Sequence, residues 1–244
     1  MGKWKKWLSA GLFTAMLGTA IIAGPTADVS ANAGNKPYNI ENVSPDAHLA
    51  PSVGDSSSKT SSKAWHKIDG VCYNGSGKKV EGAITRGMDV SEWQGKINWK
   101  EAKKDLDFAF VRISYGTRHL DDYYDYNMTE AEAADVPVGT YVYSLAKTNK
   151  EALAEAQLAI RQMQGHKVSY PVAFDLEDEA TLGTLTRKEI SQIALTFCDE
   201  IRKAGYTPIL YMNLNWYNNF VDWNVLEGSG LDVWIASYGD TILA

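Results

Sequence analysis

The chain has 244 residues, of which 45% are hydrophobic and 22% are charged, as is typical of soluble globular proteins. Its formal net charge of −6 argues against a nucleic-acid-binding protein, because such a protein needs a basic face. The four His and two Cys form neither a Cys-x-x-Cys nor a His-x-x-x-His pair, so we expect no metal site and no cofactor. Aromatic residues make up 11% of the chain, and their ring faces suit the binding of polysaccharides.

Residues 1–33 are predicted to be a signal peptide. A basic start over residues 3–6 precedes the almost uncharged apolar run Leu8–Gly24, and Ala31-Asn32-Ala33 supplies the small residues that a signal peptidase requires. The alternative is an uncleaved anchor, since the run is about long enough to span a bilayer. We expect a secreted, monomeric protein without membrane contact beyond this segment.

The next two segments differ in composition. Residues 34–63 predict a disordered linker, because prolines and a serine-rich run leave few apolar groups to bury. Residues 64–85 predict a β-hairpin in which two apolar segments flank the turn residues Asn74–Gly77. A single hairpin is unstable in water, so we expect it to pack on the domain that follows, residues 86–244.

From Gly87 onward, short apolar runs alternate with amphipathic helices. The runs that suit strands buried on both faces are 108–113, 138–143, 171–174, 208–211 and 233–236. Thr186 and Glu189 form a capping box at the start of one helix, and Asn149 is the expected N-cap of another, Lys150–Gln164. This alternation predicts an α/β fold with a parallel sheet, and its length favours a barrel.

The candidate catalytic residues are Asp175 and Glu177, which follow the apolar run at 171–174. Working groups of parallel barrels lie where the strands end, and residues two apart face the same side. Both carboxylates should therefore project into the barrel mouth while Leu176 packs away. Two crowded acids titrate apart, and glycosidic cleavage requires one protonated and one ionised carboxyl group. The alternative is a polar loop, since the acidic run continues to Glu179.

A third acid, Asp89, lies in the segment that carries the most specific pattern. Asp89 or Ser91 could instead act as the N-cap of the following turn. However, residues 89–91, 93–95 and 97–99 (Asp-Val-Ser, Trp-Gln-Gly and Ile-Asn-Trp) resemble the opening signature of glycoside hydrolase family 25, the bacterial and phage N-acetylmuramidases. Further resembling segments keep the family's order: Val111–Gly116, Asp121 with Tyr124 and Asn127, Val138–Tyr141, Asp175–Glu177, Gly205-Tyr206 with Leu210-Tyr211, and Trp234–Tyr238.

The resemblance covers about residues 86–244 and implies a flattened TIM-like β/α barrel. It implies hydrolysis of the β-1,4 bond between N-acetylmuramic acid and N-acetylglucosamine in peptidoglycan, and hence a cell-wall-associated enzyme. By the same resemblance, Glu177 is the general acid and Asp175 orients the substrate's acetamido group, whose oxygen attacks the anomeric carbon with net retention. Asp89 is then a third acid in the same mouth.

Aromatic residues would complete the site. Those that the resemblance places along the groove, with a position in the barrel core as the alternative, are Tyr141, Tyr211, Trp234 and Tyr238. After the third-strand Tyr, the family usually has His and an aromatic residue, whereas this chain has Val142-Tyr143.

Several alternatives stay open. Six strands can be recognised where a barrel needs about eight, so we expect a barrel that lacks its last strands, as in a fragment of a longer product. Another N-acetylated glycan such as chitin is an alternative substrate, although the chitinase Asp-x-x-Asp-x-Asp-x-Glu run is absent. A non-catalytic wall-binding module is an alternative function. Cys72 and Cys198 could form a disulfide or remain small buried apolar groups.

Overall fold

The structure is a computed structural model that describes residues 6–10, 18–23, 66–74, 77–80 and 83–237. The strands are β1 (Lys6–Ala10), β2 (Gly18–Ala23), β3 (His66–Ile68), β4 (Val71–Tyr73), β5 (Ala83–Val90), β6 (Phe108–Tyr115), β7 (His119–Leu120), β8 (Val138–Tyr143), β9 (Val168–Asp175), β10 (Pro208–Asn213) and β11 (Asp232–Ser237). The helices are α1 (Trp99–Ala102), α2 (Tyr124–Ala133), α3 (Asn149–Met163), α4 (Glu179–Leu182), α5 (Arg187–Lys203), α6 (Leu214–Asn219) and α7 (Trp223–Leu226), with a 3₁₀ helix at Glu92–Gln94. The predicted linker 34–63 lies outside the described residues.

Six parallel strands form the centre of the fold, in the order β5-β6-β8-β9-β10-β11. They include all the strands predicted from the apolar runs, and the sheet curls into a half-barrel of the TIM type. Short β7 pairs with the end of β6. Because the strands are parallel, their carboxyl ends all meet at one end of the barrel, and this end carries the site.

The sheet separates two apolar cores. The larger core lies between the sheet and the outer helices, and it contains the apolar faces of α3 and α5. The smaller one lies inside the curl and is formed by Phe108, Phe110, Ala173, Ile209 and Trp234. Alternate strand residues point to opposite faces, so β6, β9, β10 and β11 contribute to both cores, as their continuous apolar sequences predicted.

Part of the predicted signal peptide lies in the sheet. Residues 1–33 were expected to lie outside the fold, whereas β1 pairs parallel to β11 and β2 pairs antiparallel to β5. These two edge strands also contact each other. The edges of β5 and β11 offer unpaired backbone groups that an extended apolar segment can satisfy. The cleavage motif Ala31–Ala33 lies outside the described residues, and its processing stays a prediction.

The structure contains the predicted reversal after β4 and adds a hairpin, β3–β4, whose turn was not predicted. The strands are joined by Asp69-Gly70, whose φ values of 50° and 79° fit the tight turn that suits hairpins. The predicted reversal is confirmed by the described residues on either side of it, since Tyr73 pairs with Lys79 in an antiparallel bridge and the Asn74 Oδ1 accepts the backbone N–H of Lys78 at 2.8 Å. The hairpin packs at the start of β6 through the Lys67 ammonium, which lies 2.7 Å from the Asp107 carboxylate.

The helix ends follow their sequence signals with one shift. The capping box of Thr186 and Glu189 starts α5 as predicted. For α3, the N-cap is Thr148 rather than Asn149, because the Thr148 hydroxyl accepts the N–H of Glu151. Within the described ranges, none of the helices has both the length and the apolar character needed to cross a bilayer. Cys72 and Cys198 are both buried, and neither is in a disulfide.

Candidate active site

The backbone around Asp175 is fixed on both sides. The carbonyl of Asp175 accepts the N–H of Ser144 at 3.0 Å, and the N–H of Leu176 donates to the carbonyl of Tyr211 at 3.0 Å. Leu176 is fully buried in the core on the helix side. Its neighbours Asp175 and Glu177 therefore face the inside of the curl, where they are only 6% and 4% exposed.

The surroundings of Asp175 strongly shift the pKa of its carboxyl group. Burial, and then the negative charge of Glu177, raise the pKa of Asp175 well above its usual range, while the Arg112 guanidinium opposes this shift. Among the described residues, the buried Asp175 Oδ1 has no hydrogen-bond partner. The site therefore holds a carboxyl that favours its protonated form and has one buried oxygen without a hydrogen-bond partner among the described residues.

Asp89 lies beside Asp175 and Glu177 and does not cap the turn that follows it. Ser91 is the N-cap of the 3₁₀ helix, and Gln94 completes a capping box by accepting the N–H of Ser91 at 2.7 Å. Asp89 is thus available to the barrel interior, where burial raises its pKa. The negative charge of Asp89 also raises the pKa of Asp175. The structure therefore brings the three predicted acids into one group whose titrations are linked.

Asn213, which was not predicted from the sequence, contacts Glu177. The Asn213 Nδ2 donates to the Glu177 Oε2 at 3.3 Å, while its Oδ1 accepts the N–H of Trp216 at 3.0 Å as the N-cap of α6. The capping bond fixes which end of the amide faces Glu177. A signal existed: Asn213 follows Tyr211 by two residues, so it shares that residue's side of the strand, and it precedes a helix.

Arg112 is a cation whose charge acts on Asp175, and it was also not predicted from the sequence. Its Nε donates to the Asp121 Oδ2 at 2.9 Å, and its Nη2 donates to the Glu92 Oε1 at 2.8 Å. The residue is 7% exposed and lowers the pKa of Asp175. Strand alternation could have found it, because Phe110, two residues earlier, also faces the inside of the curl.

The predicted groove aromatics occupy different depths. Asp175, Tyr211 and Trp234 form one row across β9, β10 and β11, because Tyr211 is the register partner of both others. Trp234 is 3% exposed and packs 4.7 Å from the Tyr211 ring, so it forms the floor of the site. Tyr141 and Tyr211 are half-buried against the inner core. Tyr238 lies outside the described residues.

A pair of tyrosines lies beside the acids. The rings of Tyr115 and Tyr143 stack at 4.8 Å with an interplanar angle of 12°. Both hydroxyls donate to the Asp178 Oδ2, at 3.2 and 3.3 Å respectively. Asp178 is also the N-cap of α4, since its Oδ1 accepts the N–H of Thr181 at 2.7 Å. Asp178 therefore both caps α4 and holds the two tyrosine hydroxyls.

One other cluster in the described part of the chain has the composition of a metal site. The ligand atoms of Glu92, His119 and Asp122 lie within 4.8 Å of one another. However, the Glu92 Oε1 accepts from Arg112 and its Oε2 lies 2.7 Å from the His119 Nε2. Arg112 and His119 thus engage both Glu92 oxygens, and the cluster is a polar network that holds Arg112 in place.

Comparisons with known proteins agree on one family. The family model described as Glycosyl hydrolases family 25 matches residues 88–242. Lysozyme M1 of Streptomyces globisporus is 26% identical over 164 residues, which are 63% of this chain and 55% of the relative. The uncharacterized protein YegX of Escherichia coli K12 is 26% identical over 139 residues, which are 54% of this chain and 49% of the relative.

The fold is similar to that of solved structures. The structure of the modular autolysin LytC from Streptococcus pneumoniae, in complex with a synthetic peptidoglycan ligand, matches with a TM-score of 0.60 and 21% identity. The match covers 74% of this chain and 44% of LytC. The chain spans about half the length of the curated relatives it matches. Because the family model covers more than half of the chain, the protein belongs to glycosyl hydrolases family 25.

Proposed function

We propose that the chain is a peptidoglycan hydrolase that cleaves the β-1,4 bond between N-acetylmuramic acid and N-acetylglucosamine. Membership of family 25, the similarity to Lysozyme M1 and the likeness to LytC, whose structure holds a peptidoglycan ligand, support this substrate class. The observation that carries the proposal is the buried Asp175 Oδ1, which has no hydrogen-bond partner among the described residues and lies two residues from Glu177. An N-acetylated sugar supplies the amide N–H that this oxygen lacks.

The reaction begins with proton placement. In the free enzyme, the raised pKa of Asp175 keeps a proton on the acid pair. A substrate acetamido N–H donating to Asp175 favours its ionised form, and the crowding of two negative charges then leaves the proton on Glu177. Glu177 protonates the leaving glycosidic oxygen while the acetamido oxygen attacks the anomeric carbon. Water opens the resulting cyclic intermediate with Glu177 as base, which gives net retention.

Neighbouring residues position these groups. Asn213 donates to the Glu177 Oε2 from a fixed amide and so orients the acid. Arg112 offsets part of the negative charge of the cluster, while Asp121 and Glu92 hold its guanidinium. Asp89 completes the cluster as a third acid that holds sugar hydroxyls or tunes the pair. In this proposal Tyr141, Tyr211 and Trp234 form the walls and floor beneath the bound sugar.

The variant Glu177→Gln tests the assignment. We expect the release of reducing ends from purified walls to fall by about 10²-fold or more, because the amide cannot protonate the leaving oxygen. Wall binding in a pull-down should persist, since the amide keeps nearly the same shape.

The matched control is Glu179→Gln, two residues along and exposed, which should retain the wild-type rate. Full activity of Glu177→Gln would remove Glu177 from the mechanism. A wild-type chain that binds walls without cleaving them would support the wall-binding module instead.

The proposal includes export to the cell wall. The basic start, the apolar run Leu8–Gly24 and the motif Ala31–Ala33 support a cleaved signal peptide. N-terminal sequencing of the chain recovered from culture medium tests this step. A start at Gly34 is expected, whereas a chain that stays membrane-bound with Met1 intact would support the anchor.

A further inference from the structure

The stacked pair of Tyr115 and Tyr143 presents a firmly held aromatic surface at the barrel mouth. Two bonds to one carboxylate oxygen of Asp178 fix the ring positions, and the N–H of Gly116 donates to the carbonyl of Tyr143 at 2.8 Å. The pairing of β6 with β8 therefore extends as far as Tyr115 and Tyr143 themselves. Such a surface loses little conformational entropy when a ligand binds to it.

Tyr115 keeps part of its ring accessible. It is 37% exposed, and Tyr143 covers one of its two faces. The other face is the kind of flat, weakly polar surface on which the C–H groups of a pyranose pack. The hydroxyl cannot turn towards solvent without losing its bond to Asp178, so the ring is held in one orientation.

The pair is electrostatically linked to the catalytic acids. The pKa of Tyr143 is raised by burial and then by the charges of Asp175, Asp178 and Glu177. Tyr143 is also the register partner of Asp175 across β8 and β9, so it lies next to the acid pair, and Tyr115 lies one ring further out. A glycan strand that places one sugar at Asp175 and Glu177 is long enough to place a neighbouring sugar on Tyr115.

We propose that Tyr115 and Asp178 form a second sugar-binding subsite, in which the Tyr115 ring stacks on a pyranose next to the one that is cleaved. This inference rests on the proposed function, because it assumes a glycan strand at the acid pair. Asp178 accepts hydroxyl hydrogens from that sugar at the edge of the stacked rings.

The local charge favours a sugar over the peptide stems of the wall. Asp178 is followed by Glu179 and lies near Asp175 and Glu177, so this side of the mouth is rich in carboxylates. Stem peptides carry carboxylates of their own, and like charges repel at this distance. An uncharged pyranose offers hydroxyl donors and apolar C–H faces, which match the acceptors and the ring.

The test measures kcat and KM of the full chain on glycan strands freed of their stem peptides. Tyr115→Ala should raise KM by about fivefold to tenfold, the loss expected for one stacked ring, with kcat within about twofold. Tyr115→Phe keeps the ring and should stay within about twofold of the wild type in both constants. Tyr206→Ala removes a half-buried tyrosine at the opposite end of the barrel, and it should leave both constants unchanged.

A purely structural role gives a different result. If the pair only holds Asp178 and hence the Glu177 segment, Tyr115→Phe loses that bond and should lower kcat as much as Tyr115→Ala, with KM unchanged. That pattern would overturn the subsite. A rise in KM confined to strands that retain their stem peptides would also overturn it, in favour of a peptide contact.

A binding measurement separates this inference from the proposed function. The dissociation constant of peptide-free strands is measured on Glu177→Gln, with and without Tyr115→Ala. If the wild-type chain cleaves nothing, but Tyr115→Ala weakens strand binding about fivefold to tenfold, the function is refuted and the subsite stands. Cleavage with KM and the dissociation constant both insensitive to Tyr115 would refute the subsite and keep the function.

Discussion

Glu155 links the outer helix α3 to the end of β9, where Asp175 lies, although it takes no part in the proposed chemistry. It is 2% exposed and accepts the Ser144 hydroxyl at 2.8 Å and the N–H of Leu145 at 3.0 Å. Ser144 in turn donates its N–H to the carbonyl of Asp175. Burial raises the pKa of Glu155 to about 7, against the opposing effect of those two bonds.

This shift makes the free energy of unfolding depend on pH. In the unfolded chain the Glu155 carboxyl has the ordinary glutamate pKa of 4.5, so the folded state binds more protons between about pH 4.5 and 7. Stability from this group is present below that window and is lost as the pH rises through it. A pKa difference of about 2.5 between the two states corresponds to about 3 kcal/mol.

We expect Glu155→Gln, which cannot ionise, to lack the part of the pH-dependent loss of stability that Glu155 causes. Urea unfolding at pH 5 and pH 8 should show a decrease in stability that is about 2.5 kcal/mol smaller in the variant than in the wild type, because part of the loss already occurs below pH 5. Asp175 has a raised pKa in both proteins, so the difference isolates Glu155. The exposed Glu132→Gln on α2 is the control, and an unchanged pH slope in Glu155→Gln would contradict the assignment.

At the scale of elements, the edge strands β1 and β2 are the least expected feature. β1 pairs with β11 over five residues, and β2 pairs with β5 over six. Removal of residues 1–33, as cleavage of a signal peptide would do, leaves both edges without these partners. Each lost backbone bond costs about 0.5–1.5 kcal/mol, so several lost bonds are a large share of a typical stability of about 5–15 kcal/mol.

We therefore expect residues 34–244 to melt at least about 10 °C below the full chain in scanning calorimetry, since 1 kcal/mol corresponds to about 2–4 °C at this size. A chain without residues 1–5 keeps both strands and is the control. Equal melting temperatures for residues 34–244 and the full chain would show that the pairings add no stability and that the segment serves export alone.

The six central strands and α5 were predictable because each has a local signal. Continuous apolar runs predict strands buried on both faces, and the capping box marks the start of α5. The reversal after Asn74 was predicted and is present, whereas the additional turn at Asp69-Gly70 was missed, because it divides a segment that the sequence pattern presents as one strand. The apolar N-terminal run suits a signal peptide and a strand equally, so its composition cannot predict edge pairing.

At the scale of the whole molecule, parallel topology assembles the site. Asp89, Asp175 and Glu177 lie at or just beyond the ends of β5 and β9, so the strand pattern alone predicts that they meet. Arg112 and Asn213 join them through contacts across strands, which depend on register and helix capping. Sequence reasoning therefore finds the acids more readily than the residues that hold and charge-balance them.

The net charge of −6 bears on the proposed binding of a bacterial wall. Bacterial walls carry anionic groups, so overall attraction does not bring an acidic protein to them. In the proposed function, binding then rests on local shape and stacking at the mouth, where Tyr141, Tyr211 and the Tyr115 ring lie. This agrees with an aromatic content of 11% in a chain of acidic charge.

Proton NMR of purified peptidoglycan during digestion by the full chain tests the central claim most directly. The proposed mechanism predicts that the first new reducing end is the β-anomer of N-acetylmuramic acid, since acetamido participation retains configuration. Reducing ends of N-acetylglucosamine would contradict the assigned bond. First appearance of the α-anomer would contradict the role of Asp175 and recast it as a base that acts on water.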